Sequence, residues 1–169
     1  MKIIQALKLC KDLEKKADDY IAMVRDHCAI SSVETQKYAD QKEQVRQWIQ
    51  GHSDILKEIL RLRTAIQRTN LQTNVTVELQ GKQVTKTIAE WIHRRRDLAN
   101  KEMALWNAIG DKGIKEGMAN GPSGQPIEIK IVRFYEPGKR EEMRMALSSE
   151  PSTIDAHLEI ANAVTDLIE

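Results

Sequence analysis

An apolar series in alternating steps of three and four runs from Val45 through Trp48, His52, Ile55, Ile59, Leu62 and Ile66 to Thr69, and it passes Gly51 without losing register. This spacing places every member on one stripe of an α-helix. It predicts a single helix over about 35–70, at the roughly 1 kcal/mol that a mid-helix glycine costs relative to alanine. A helix of that length extends about 52 Å, whereas a compact globule of 169 residues is only about 40 Å across. The expectation is a single elongated helical domain over residues 1–169, or a rod whose projecting end another subunit covers.

Upstream, Ile3, Leu7, Cys10, Glu14, Ala17, Ile21, Val24 and Cys28 repeat the pattern and predict a helix over about 2–29. Cys10 and Cys28 would lie about 27 Å apart on it, beyond the roughly 7 Å that a disulfide spans. Both are read as buried small hydrophobes. After Asn70 the period changes to two. Val75, Val77 and Leu79 predict a strand over 75–79, turning at Gln80-Gly81-Lys82 into a second over 83–86. A third helix is expected over 88–109, and the glycine-rich stretch 117–126 reads as a flexible loop. Ile127, Ile129 and Ile131 predict a last strand over 127–134, expected to join the hairpin because an isolated two-stranded sheet is marginal. Pro151 is expected to divide the remainder into helices over 139–148 and 153–168. The fold class so predicted is mainly α (α+β), a long-helix bundle with a small antiparallel three-stranded β-sheet.

The chain has 26 Lys and Arg against 25 Asp and Glu, a net charge of +1, so no global field recruits nucleic acid or an anionic membrane. No apolar run reaches transmembrane length. The opening Met1-Lys2-Ile3-Ile4 lacks the apolar stretch and cleavage site of a secretory signal, which points to a cytoplasmic or virion location.

Signatures of catalysis are missing. The glycines at 117, 121 and 124 precede a strand rather than a helix N-terminus, so their amides do not form a phosphate cradle. His27, His52, His93 and His157 stand on separate segments without a ligand partner three or four residues away. No catalytic, cofactor-binding or metal-ligating residue is assigned, and the chain is read as a non-enzyme without cofactor.

The sharpest charge cluster is Arg94-Arg95-Arg96, with Arg61 and Arg63 on the preceding long helix. Guanidinium groups suit phosphates and carboxylates alike. Three consecutive residues span about 300° of a helix and cannot all face one ligand. Ion pairs with Glu90 and Asp97, or with another subunit, are therefore favoured over nucleic acid, which stays as an alternative. The interaction candidates are Val45, Trp48, His52 and Ile55 on the apolar seam, together with Arg61, Arg63, Arg94, Arg95 and Arg96.

The segment Ile59-Leu60-Arg61-Leu62-Arg63-Thr64-Ala65-Ile66-Gln67-Arg68-Thr69-Asn70, the hairpin, and Ile88-Ala89-Glu90-Trp91-Ile92-His93-Arg94-Arg95-Arg96-Asp97-Leu98 resemble the septicolysin-like family of small bacterial helical proteins. Ile127-Glu128-Ile129-Lys130-Ile131-Val132 and Ile154-Asp155-Ala156-His157-Leu158-Glu159-Ile160-Ala161-Asn162 resemble its late strand and terminal helix. The sequence departs from the family at Ala163, where a tryptophan is expected, and in the 110–126 linker. The resemblance implies a helical bundle with a β-hairpin and no catalytic residue. Its toxin-like name finds no support in the residues, because a membrane-spanning strand needs about 9–11 of them.

The leading expectation is a structural protein that oligomerises or docks on a larger assembly through its long helices. Since small helical accessory proteins are common in phage particles, a head, neck or tail component of a virion is its most specific form. The alternatives are a nucleic-acid-binding module using Arg94–Arg96, and a septicolysin-like toxin or unrecognised enzyme.

Overall fold

A computed structural model describes residues 1–168. In chain order they form α1 (Ile3–His27), α2 (Gln41–Gln72), β1 (Asn74–Leu79), β2 (Lys82–Thr87), α3 (Ile88–His93), a π-helical turn (Arg94–Leu98), α4 (Ala99–Ala108), β3 (Gly117–Asn120), β4 (Pro126–Ile129) and α5 (Pro137–Val164). The chain divides into two compact units. One comprises residues 1–74, 87–89 and the chain from Leu158 onward; the other comprises residues 75–86 and 90–157.

In the first unit, α1 and α2 form an antiparallel helical hairpin. The periodic residues meet at its seam in two clusters. Ala6 and Cys10 pack on Leu62, Ala65, Ile66 and Leu167, while Ala17 packs on Ile55 and Ile59, with Leu13 touching both. Small residues on α1 against branched ones on α2 let the helices approach closely and still fill the space between them. Asp40 caps α2 by accepting a 2.9 Å hydrogen bond from the Glu43 N–H.

At the same end, the rings of His27, Tyr38 and Trp48 stand 5.4 to 5.6 Å apart, centroid to centroid. At the other end the chain termini meet. The Leu167 N–H donates to the Met1 carbonyl at 2.7 Å and the Ile3 N–H to the Thr165 carbonyl at 3.1 Å. Buried Thr69 donates through Oγ1 to the Ala65 carbonyl at 2.8 Å and accepts the Ile168 N–H at 2.9 Å.

Helix α2 is unbroken through Gly51, as the periodicity predicts. Gly51 accommodates Tyr20, whose ring atoms lie 3.0 to 3.1 Å from the position of a Cβ on that residue. The predicted starts and ends move by a few residues: α1 ends at His27, and α2 begins at Gln41 rather than near residue 35. Cys10 is buried as expected, but Cys28 lies past the end of α1 and is exposed.

The three-stranded sheet is not formed. Among the described residues there are two separate antiparallel pairs, β1 with β2 and β3 with β4. The partner of β4 is Gly117–Asn120, within the stretch that reads as a flexible loop, in the register Gly117↔Ile129 to Asn120↔Pro126. The two strands are joined by a glycine turn in which the Gly121 N–H donates to Gln125 and the Gly124 N–H to Gly121. Pairing ends at Ile129, so the predicted strand over 127–134 is truncated. The first hairpin turns at Gln80 (φ 53°) and Gly81 (φ 73°), the two left-handed residues of a type I′ turn. Within the second unit, Trp91 is fully buried and donates through Nε1 to the Val75 carbonyl at 2.9 Å.

The expected break at Pro151 is also absent, because α5 continues through it from Pro137 to Val164. Proline there removes a hydrogen bond to the Leu147 carbonyl and strains the helix by about 3 kcal/mol. Tertiary burial on either side outweighs this local preference: Leu147, Glu150 and Ile154 all face the interior. Ser152 and Thr153 add hydroxyl donors to the Ser149 carbonyl at 2.8 and 3.1 Å. The third predicted helix, over 88–109, is α3, the π-turn and α4 in succession.

Candidate functional site

The four seam candidates turn largely inward. Trp48 and Ile55 are buried, Val45 is half-buried, and His52 lines a cavity of about 320 Å³ with Tyr20, Ile21, Val24, Arg25 and Ile49. The apolar surface left over on α2 lies one residue along from the seam. Ile49, Leu56, Leu60 and Leu71 are 56%, 49%, 67% and 65% exposed. Ser53, Thr64 and Gln67 fill the intervening helical positions and are exposed too. The stripe from Ile49 to Leu71 is thus free of charge over about 33 Å.

The arginines separate by partner. Arg61 makes a forked pair with Glu58, with Nε–Oε2 2.9 Å and Nη2–Oε1 2.8 Å. Arg63 reaches across the hairpin to Glu14 at 2.6 Å. In the second unit, Arg94 is held between two carboxylates, Glu150 through Nε and Nη2 and Glu102 through Nη1 at 2.6 Å. Glu150 is only 4% exposed. Its hydrogen bonds, with those of Glu102, hold the Arg94 guanidinium firmly charged by raising its pKa.

Arg95 pairs with Asp155, and Arg96 Nη2 lies 3.4 Å from His93 Nδ1. The π-turn widens the helix locally, and both Arg94 and Arg95 reach acids on α5. Asp97 pairs instead with Lys101 at 3.0 Å. The expected pairing with near neighbours on the same helix thus gives way, for Arg94 and Arg95, to longer-range partners. Sequence reasoning misses Glu150 because an acid beside a proline reads as a helix end, not as a buried counter-ion.

A third arrangement was not singled out by the motifs. The Asp111 carboxylate accepts from Arg133 Nε and Nη2 at 2.9 and 2.8 Å and from the Tyr135 hydroxyl at 2.7 Å. The Arg133 hydrogen bonds, followed by that of Tyr135, hold the Asp111 carboxyl below the usual carboxylate range. This clamp borders a cavity of about 440 Å³ lined by Ile109, Ile114, Ile131 and Tyr135 among others. Phe134, the chain's single phenylalanine, is 97% exposed beside it. The alternation of Ile131, Arg133 and Tyr135 with Val132 and Phe134 is the sequence signal that could have found it.

No group of three or more His, Cys, Asp and Glu among the described residues is placed to hold a metal ion. No helix among them is long and apolar enough to cross a membrane. Cys10 is a poor nucleophile, because burial raises its thiol pKa. No family model matches the sequence, and neither a curated protein nor a solved structure matches it.

Proposed function

We propose that this chain is a non-enzymatic assembly protein that docks on a larger complex through the outer face of α2, most specifically as an accessory component of a phage virion. The observation that carries the reading is the charge-free stripe Ile49, Leu56, Leu60 and Leu71, exposed beside a seam that is already filled. Apolar residues scattered singly over a surface need no explanation, but a continuous stripe along a rigid helix is the signature of a helix-in-groove or bundle contact.

The pairing of Arg94 and Arg95 with carboxylates weighs against the nucleic-acid alternative, since phosphates would have to displace Glu150 and Asp155. Kinship with the septicolysin-like family enters the proposal only for its helical layout.

The reading is tested by incorporating a photo-crosslinking residue at position 60 in cells that make the protein natively, followed by size-exclusion chromatography with light scattering. A crosslinked species larger than the monomer is expected, and Leu60→Glu should remove it. A chain that runs as a monomer in extract and in purified form, crosslinked to nothing, would overturn the proposal.

A further inference from the structure

Around α2, charge is ordered with respect to the exposed stripe. The helix carries six Lys and Arg against three Asp and Glu. Arg46, Lys57 and Arg68 fall on one flank of the stripe at the helical turn of about 100° per residue, and Arg63 on the other. The acids lie behind the cations. Glu43 pairs with Arg46, Asp54 with Lys57 and Glu58 with Arg61, each acid three residues earlier and so about 60° further from the stripe than its cation. No acidic residue of α2 falls within about a quarter turn of the stripe on either side.

From this order we infer that the outer stripe of α2 receives an amphipathic helix with acidic flanks, contributed by a partner protein. The inference rests on the docking reading above and specifies the chemistry of the occupant. A second copy of α2 laid antiparallel on the first would bring like flanks together and oppose cation to cation, which is destabilising. An acidic helix meets cations on both rims while its apolar residues cover Ile49, Leu56 and Leu60. A lipid surface fits less well. Ser53, Thr64 and Gln67 interrupt the apolar positions, and a stripe without an aromatic residue lacks the usual interfacial anchors.

The probes are two labelled synthetic peptides with the same leucine stripe, one flanked by glutamate and the other by lysine, titrated against the full chain at low salt and followed by fluorescence anisotropy. The glutamate peptide should bind at least about tenfold more tightly, and added salt should narrow the gap. The pair Arg46→Glu and Lys57→Glu, checked for unchanged helicity, should reverse the preference. Leu60→Glu should abolish binding of both peptides.

Equal affinities, no binding, or flotation with phosphatidylserine vesicles in place of peptide binding would each overturn the inference. If the position-60 crosslink forms in native extract while the glutamate peptide has no advantage, the occupant's chemistry is wrong and the docking reading stands. If the crosslink is also absent, both fall.

Discussion

The ring of Tyr20 lies against Gly51 so closely that a Cβ on the glycine would sit 3.0 Å from the ring Cζ. Gly51→Ala in the native background should therefore change stability little, because the gain in helix propensity of about 1 kcal/mol is offset by displacement of the ring. In a Tyr20→Ala background the same substitution should return the full gain. Urea denaturation of the four variants measures this coupling, and identical effects in both backgrounds would show that the ring does not constrain the helix.

Arg94 and Glu150 form the most enclosed ion pair described. Arg94→Ala leaves a nearly buried carboxylate without its cation and should lower stability by about 3 kcal/mol. Arg96→Ala, at an exposed residue, should stay within about 0.5 kcal/mol. Comparable losses for the two variants would mean that the Glu150 contact is not the dominant one.

The Asp111 clamp has a defined acid response. Because the folded pKa is lowered, its contribution is fully present above the unfolded value of about 3.9 and is lost as pH falls through the lower, folded value. Titration by NMR below about pH 4 should move the Tyr135 ring and Ile114 amide resonances together. Asp111→Asn should remove that step. Persistence of the step in the variant would assign it to another carboxylate.

Thr69 links the end of α2 to the last residues described, through one hydroxyl that both donates and accepts. Thr69→Val keeps the shape and deletes both bonds, at an expected cost of about 1–3 kcal/mol. Amide exchange at Ile168 should accelerate in Thr69→Val and be restored in Thr69→Ser. Unchanged protection in the valine variant would rule out this anchor.

The helical hairpin was legible because its signal is periodic. Ala17, Ile55, Ile59 and Leu62 repeat at helical spacing, and a single glycine does not outweigh seven aligned positions. Pro151 and Gly117–Asn120 were misread for the opposite reason. Their local preferences, a break and a loop, are overridden by partners remote in sequence: the burial of Leu147 and Ile154, and the pairing with Pro126–Ile129.

The candidate surface was legible only in outline. The pattern finds the seam of α2, but a sequence does not say which of two adjacent stripes another helix already covers. It placed the interest on Trp48 and Ile55, whereas Ile49, Leu56 and Leu60 remain available. The partners of Arg94 and Arg95 were hidden because α5 had been divided at the proline that follows Glu150.

The π-turn at Arg94–Leu98 makes this stretch sensitive to length in a way that its neighbours are not. Such a turn is equivalent to one residue inserted into an ordinary helix. Deleting any one of its members would let the helix relax to regular winding and rotate everything after it, from Ala99 on, by about 100° relative to α3. The chain can thus exchange side chains here more freely than it can lose a residue, and homologues that keep the tethers to α5 should conserve the spacing from Trp91 to Ala99 before they conserve the arginines themselves.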